Sequence, residues 1–198
     1  MDAYLLLRLL HFAGFIFIGG GLLAVFVSEL RAYLTTETKS FVEAAQYTAI
    51  FYDGLVLPGA VMILISGPLL IHQLGVGYFA APWIVGMWAL FAFEFIEGNT
   101  ITRIQFQRTL RLSKLLPQDQ PLTKERREGV RSFLGQFAHF LDIPLFFAIV
   151  YCGVARPDDW KEVIAAIAGA LAAATVLTLC VPRIFCARRE RQGGRDQD

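Results

Sequence analysis

The sequence has few of the residues from which enzymes most often build their sites. Its 198 residues include three cysteines and three histidines, and the cysteines form neither a C-x-x-C pair nor a metal-like spacing. Phosphate-binding loops, nucleophile triads and dinucleotide fingerprints are absent. The glycine run Gly19–Gly21 lies inside a long apolar stretch, where a nucleotide-binding loop does not form. These absences argue against nucleotide chemistry and thiolate metal sites.

Charged residues are also scarce over long parts of the chain. Hydrophobic residues make up 56% of the sequence and the mean hydropathy is +0.52, against roughly 45–50% apolar residues in soluble domains. Several apolar runs approach or exceed the roughly 20 residues that cross a ~30 Å hydrocarbon layer as a helix. We therefore predict an all-α, polytopic membrane protein. The first run, residues 9–28, is too long for a removable signal peptide and is expected to remain as a span.

The hydropathy pattern predicts five transmembrane helices. We place them at Leu9–Ser28 (the helix continuing toward Leu34), Ile50–Ile71, Pro82–Thr102 (continuing toward Leu116), Phe137–Val154 and Val163–Cys180. Residues 1–157 are expected to form a four-helix membrane core, residues 158–185 a fifth helix, and residues 186–198 a basic tail. Trp83 and Trp160 stand at span ends, where indole rings favour the membrane interface.

The links between spans differ in charge, and the difference predicts an orientation. The segment after the third span and the C-terminal tail are rich in arginine and lysine, whereas links 73–81 and 156–162 are neutral or mixed. The positive-inside rule puts the basic segments in the cytoplasm, so five spans put the N-terminus outside. We expect a multi-pass protein of the bacterial inner membrane. Its partners would be membrane lipid and a second copy or a partner subunit, and not nucleic acid.

Ionisable side chains inside the spans are costly, so each is a candidate functional residue. Depth divides them into two groups. The outer group contains Arg8 and His11 at the start of the first span and His72 at the end of the second. The inner group contains Asp53, Glu94, Glu97, His139 and Asp142. Helical spacing places the two glutamates on one face of their helix, and His139 on one face with Asp142.

The outer group suggests a site for haem b. Arg8, His11 and Gly14 share a helix face, and Gly14 leaves room there for a flat ligand or for another helix. His11 and His72 would be the axial iron ligands, and Arg8 would pair with a propionate. The alternative for His11 is an imidazole that bonds a backbone carbonyl or water at the membrane edge. The alternative for His72 is a solvated side chain at a helix end.

The inner group suggests a cation site or a proton relay. The spacing lacks the Glu-x-x-His pair of di-metal sites in helix bundles, which argues against a metal. The alternative is a set of ion pairs with Arg103, Arg108 and bases of the loops, with carboxylates that reach the inner interface. Glu94 is the deepest of these residues.

Three apolar segments occur in a familiar order: "LLHFAGFIFIGGG" in the first span, "VLPGAVMILISGPLL" in the second and "HFLDIPLFFAIVYCGVARP" in the fourth. Together they resemble the integral membrane family called domain of unknown function 2269. More distantly, they resemble the HemJ-type protoporphyrinogen oxidases and the CopD-type copper-resistance membrane proteins. The resemblance covers about residues 1–157 and leaves out the fifth span.

This resemblance implies a four-helix membrane core with haem-linked, redox-active relatives. The first-span histidine of the HemJ-type proteins corresponds to His11, and their acidic-Ile-Pro element corresponds to Asp142-Ile143-Pro144. The third span differs, because it has no lysine and carries Glu97-Gly98 where those proteins have His-Gly. The resemblance therefore implies haem binding through His11 rather than protoporphyrinogen oxidation.

Three functions stay open on these residues. The first is a haem b protein for electron transfer or haem handling, with His11 as the anchor. The second is a proton- or cation-coupled carrier that uses the inner carboxylates and His139. The third is a non-catalytic accessory membrane subunit whose charges only set the topology. The residues do not decide whether the protein is an enzyme.

Overall fold

The fold is a bundle of five long helices, seen in a computed structural model that describes residues 2–123, 125–126, 129 and 133–195, with side chains as far as Ile184. The helices are α1 (Ala3–Leu34), α2 (Thr38–Gln73), α3 (Pro82–Ser113), α4 (Phe133–Ala155) and α5 (Trp160–Arg195). Each contains a stretch that is long and apolar enough to cross a membrane. The predicted all-α protein with five spans is confirmed.

Each helix is longer than the apolar span predicted within it. α2 begins at Thr38 rather than near Ile50, because residues 38–49 mix polar and apolar side chains, and hydropathy detects apolar runs rather than helix. α1 begins directly after Asp2, whose carboxylate accepts a hydrogen bond from the Tyr4 backbone N–H at 3.2 Å and so caps the helix. The helical part of α3 ends at Ser113, before the predicted Leu116.

The fifth helix also passes its predicted end at residue 185, since its backbone is helical to Arg195. The side chains of the predicted basic tail and residues 196–198 lie outside the part of the chain that is described. Three bases of the link after α3 lie outside it as well: Lys124, Arg127 and Arg131.

The core of the bundle involves all five helices, because the main buried cluster includes Val163, Ala170 and Ala174 of α5. α1 packs against α2, while α4 packs against both α3 and α5. Ile18 and Leu22 of α1 belong to one buried cluster with Leu145 and Ile149 of α4. The outer faces are apolar too, since Ile16 is 71% exposed and other large hydrophobic side chains line the same surface. Such a surface suits surrounding lipid and would favour association in water.

Two glycines let α1 and α2 approach closely. A Cβ atom added at Gly59 would lie 2.8 Å from the Gly14 carbonyl oxygen and 2.8 Å from the Ile18 backbone nitrogen. A Cβ atom at Gly14 would lie 2.9 Å from the side chain of Ile63. Small residues at such crossings are typical of helix pairs in membranes. The space beside Gly14 is therefore filled by α2.

A π-helical turn interrupts each of α2 and α3, at Tyr52–Val56 and at Gly98–Thr102. Such turns are rare and occur frequently at functional sites. The two turns are neighbours, because the Tyr52 hydroxyl lies against Gly98, where a Cβ atom would collide with it. Pro58, just after the first turn, has no N–H to continue the regular hydrogen-bond pattern. The irregular backbone thus gathers at the level of the inner ionisable residues.

Candidate functional site

The outer histidine, His11, is held by a hydrogen bond to the neighbouring helix. Its Nδ1 atom lies 2.8 Å from the Ser66 hydroxyl oxygen. That hydroxyl donates its own proton to the Met62 carbonyl at 2.6 Å, so His11 Nδ1–H must be the donor to Ser66. The imidazole also packs edge-on against Phe15, with ring centroids 5.0 Å apart. The second ring nitrogen, Nε2, then carries the lone pair of the neutral ring.

The other predicted outer residues do not gather around His11. His72 is exposed at the last turn of α2, six residues beyond Ser66, which corresponds to about 9 Å of helix rise. The guanidinium of Arg8 lies over the Tyr4 ring, 5.6 Å from its centroid. Gly14 faces Gly59 and Ile63 of α2. The sequence left two possibilities for the space beside Gly14, a flat ligand or another helix, and the structure places helix α2 there. These residues therefore do not form a flat slot between two histidines.

The inner residues, in contrast, come together on the facing surfaces of α3 and α4. Glu94 and Asp142 share a side-chain hydrogen bond. Asp142 is only 2% exposed. Two ionised carboxylates are both acceptors, so a hydrogen bond between them requires a proton on one. Glu94 Oε2 and Asp142 Oδ2 are buried and have no hydrogen-bond partner among the residues the structure describes.

His139 and Glu97 extend this pair toward the end of the bundle where α1 finishes. His139 Nδ1 lies 3.8 Å from Asp142 Oδ2 on the same face of α4, and both side chains are buried. His139 also lies close enough to Glu97 to interact electrostatically. Glu97 Oε1 accepts a hydrogen bond from the Thr102 hydroxyl at 2.9 Å. We call Glu94, Glu97, His139 and Asp142 the buried polar cluster.

Asp53 was predicted with the inner group but lies apart from the cluster. Its two carboxylate oxygens accept hydrogen bonds from Arg103 Nε at 2.7 Å and from Gln107 Nε2 at 3.0 Å. The Asp53 and Arg103 side chains are 34% and 42% exposed. For Asp53, the arrangement is the ion pair with Arg103 that the sequence offered as the alternative.

Two residues beside the cluster were missed at the sequence level. Thr102 bonds Glu97, and Tyr52, buried on α2, is near enough to Glu94 and Asp142 to interact electrostatically. Both residues lie in the π-helical turns and are buried there. Threonine and tyrosine are ordinary in membrane helices, so only the spacing of Thr102 from Glu97 could have marked it.

Two small cavities flank the buried polar cluster. The central cavity, ≈ 40 Å³, is lined by Glu94, Asp142, Tyr52, Asn99 and apolar side chains. The end cavity, ≈ 20 Å³, lies between His139 and Glu29 and has several polar side chains in its wall. Among the described residues, no group of three or more histidine, cysteine, aspartate or glutamate side chains could hold a metal ion. The carboxyl groups and the imidazole of the cluster are side chains that can bind and release protons.

Comparison with known proteins gives a match to the part of the chain that contains α1 to α4. The family model described as "Predicted integral membrane protein (DUF2269)" matches residues 5–157. The matched segment covers nearly all of α1 through α4 and stops before α5. No curated protein and no solved structure matches the chain. The likeness to HemJ-type and CopD-type proteins stays a prediction.

Proposed function

Because the chain belongs to the DUF2269 family of predicted integral membrane proteins, we propose that it works within the membrane, as a proton-coupled carrier. Glu94 and Asp142 bind and release the coupling proton. The observation that carries this proposal is the hydrogen bond between the two carboxyl groups. That bond holds one exchangeable proton inside the bundle.

The position of the pair supports coupling between the proton and helix movement. Glu94 is on α3 and Asp142 is on α4, so the shared proton joins two helices. When the proton leaves, two like charges face each other in an apolar core, and the closed arrangement becomes unfavourable. Movement of α3 relative to α4 would relieve this repulsion. The proton would then stabilise one arrangement of the two helices more than the other, as a ligand does when it binds two states with different affinities.

The charge of the loops supports a sidedness for the proposed carrier. The basic link after α3 favours a cytoplasmic location for the end of the bundle that contains Glu29 and His139. We propose that this end faces the cytoplasm of a bacterial cell and that His11 lies toward the outside.

Infrared difference spectroscopy on the protein in lipid nanodiscs tests the shared proton. We expect a carbonyl stretching band of a protonated carboxylic acid that changes as the pH is stepped. This band should shift in frequency in Glu94→Gln and in Asp142→Asn, because each variant replaces the hydrogen bond between two carboxyl groups with one between a carboxyl group and an amide. The matched control is Asp158→Asn in the exposed link before α5, which should leave the band unchanged.

A band at the wild-type frequency in both cluster variants would contradict the proposal. So would the absence of any protonated-carboxyl band in the wild-type protein, if helical content by circular dichroism shows that it is folded. Both cluster variants are close in shape to the native side chains, so a folded sample is expected for each.

A second candidate function rests on His11. The hydrogen bond to Ser66 fixes the ring and leaves Nε2 available as a ligand, which is how axial histidines are commonly oriented. A haem b bound there would supply one-electron redox chemistry. Because the space beside Gly14 is filled by α2 and His72 lies elsewhere, His11 is the residue through which this candidate must act.

The visible spectrum of the purified protein tests this candidate. Haem binding predicts a Soret band and a sharp alpha band in the reduced-minus-oxidised spectrum, both lost in His11→Ala and retained in His72→Ala. A preparation that stays colourless after haem reconstitution would rule the candidate out.

A further inference from the structure

We infer that protons reach the Glu94–Asp142 pair from one end of the bundle only, through the end cavity beside Glu29 and then through His139. This inference deepens the proposed function and rests on it. It gives the carrier a single point of proton entry, which lies at the end of the bundle where α1 finishes and the basic link begins.

The end cavity contains the groups that an entry point needs. Its ≈ 20 Å³ is enough for one water molecule, and its polar walls can hold that water. The polar side chains in the wall are Glu29 and Tyr33 of α1, Gln105 and Thr109 of α3, and Gln136 and His139 of α4. Glu29 is 9% exposed. A carboxylate that borders both the bundle end and a water-sized cavity can pass a proton inward.

His139 connects this cavity to the pair. It lines the end cavity, and its Nδ1 lies 3.8 Å from Asp142 Oδ2, which a small side-chain movement would shorten to a hydrogen bond. Three aromatic rings surround the imidazole, with centroids 5.2–6.4 Å away: Phe26, Phe106 and Phe140. The imidazole, packed among these apolar rings, lines the end cavity and lies beside Asp142. A histidine accepts a proton at one ring nitrogen and donates from the other.

The route toward the His11 end is closed by an apolar layer. The central cavity is bounded by Ile18, Phe91, Phe146 and Ile149. Leu145 is likewise buried one turn beyond Asp142. Phe146 packs against Phe15, whose ring contacts His11, so apolar side chains lie between the pair and the Ser66–His11 hydrogen bond. They offer no hydrogen-bonding side chain to a proton, so the proton returns by the route through which it entered until the helices move.

One-sided access is what a coupled carrier requires and what a channel lacks. A path open at both ends would let protons cross without any work on a substrate. With one end closed by the apolar layer, release on the far side depends on the helix movement that the shared proton controls.

Hydrogen–deuterium exchange of the shared carboxyl proton tests this route. Protein in nanodiscs is transferred to heavy water, and the shift of the carboxylic-acid band is followed in time. Glu29→Gln and, independently, Thr109→Val should slow the exchange roughly a hundredfold, at the low end of what a positioned proton donor contributes. The matched control at the other end is Trp88→Phe, which removes a buried indole N–H near Gly67 and should leave the rate unchanged.

The result that overturns the inference is a band that exchanges at the wild-type rate in both Glu29→Gln and Thr109→Val. An equal slowing in Trp88→Phe would also overturn it, because entry would not then be specific to the Glu29 end. Either result keeps the band itself, so it differs from failure of the proposed function, in which no exchangeable band is present. Thr109→Val changes only one hydroxyl to a methyl group, so the exchange rate can still be measured in this variant if Glu29→Gln does not fold.

Discussion

Replacing Gly59 with alanine is expected to lower the free energy of unfolding by about 2 kcal/mol, within the range for overpacked sites. The added Cβ atom would lie 2.8 Å from the Gly14 carbonyl oxygen and 2.8 Å from the Ile18 backbone nitrogen. Both contacts are with the backbone of α1, so no side-chain rotation relieves them and the two helices must separate. The separation would also loosen the core cluster that contains Ile18 and Val56.

Gly20→Ala is the matched control for this prediction. Apart from the neighbouring part of α1 itself, no atom lies within 4 Å of a Cβ atom built at Gly20, and alanine favours helix over glycine by about 1 kcal/mol. This variant should be as stable as the wild type or slightly more so. Titration with a denaturing detergent in mixed micelles, followed by tryptophan fluorescence, compares the three proteins. Equal midpoints for Gly59→Ala and Gly20→Ala would show that the close crossing of α1 and α2 is absent in the folded protein.

The sequence was sufficient for the number of spans but not for the lengths of the helices. Each predicted span was an apolar run, and a helix that crosses a membrane is apolar around most of its circumference. The first part of α2, from Thr38, lies in a helix without being an apolar run. The two π-helical turns were also not predicted, because neither Tyr52–Val56 nor Gly98–Thr102 carries a residue pattern specific to such turns.

The residues of the buried polar cluster could be identified as candidates from the sequence because ionisable side chains are energetically costly inside a membrane span. An ionisable group in a span needs a partner, so Glu94, Glu97, His139 and Asp142 were candidates for a polar network, with ion pairs to arginines and loop bases as the alternative. The structure brings the four together. Asp53 could not be separated from them in advance. Its depth is similar, and only the rotation of α2 about its axis decides that Tyr52 faces the core while Asp53 faces Arg103. That rotation depends on tertiary packing, which a single sequence does not specify.

The helix face of α1 that contains Gly14 is a second case in which tertiary packing, and not the sequence alone, decides whether a binding site forms. Spacing alone placed His11 and Gly14 on one face, and a face without side chains admits a flat ligand or a helix equally well. The choice depended on the partner surface, where Gly59 and Ile63 of α2 complement Gly14. A haem site that relied on open space there would have to displace α2.

The pair of variants Glu94→Met and Asp142→Leu, combined in one protein, is expected to raise the free energy of unfolding by about 1–4 kcal/mol and to abolish the shared-proton band. Replacing both members of a buried polar pair with apolar side chains of similar volume is often stabilising by that amount, because neither group then loses hydration on folding. The central cavity of ≈ 40 Å³ can accept the small difference in shape. Asp142→Leu alone should instead be destabilising, since Glu94 would lose its hydrogen-bond partner in the core.

The same detergent titration is applied to the double variant and to the two single variants, Glu94→Met and Asp142→Leu. Their stabilities distinguish a pair kept for function from a pair that supports the structure. If the pair is kept for proton binding, the double variant is more stable than the wild type and the effects of the single variants do not add, as expected for groups in contact. If the pair instead holds α3 and α4 together, the double variant is the least stable of the set. A protein that gains stability while losing its exchangeable proton would show that Glu94 and Asp142 are retained at a cost to the fold. That is expected of residues that carry out the function rather than support the structure.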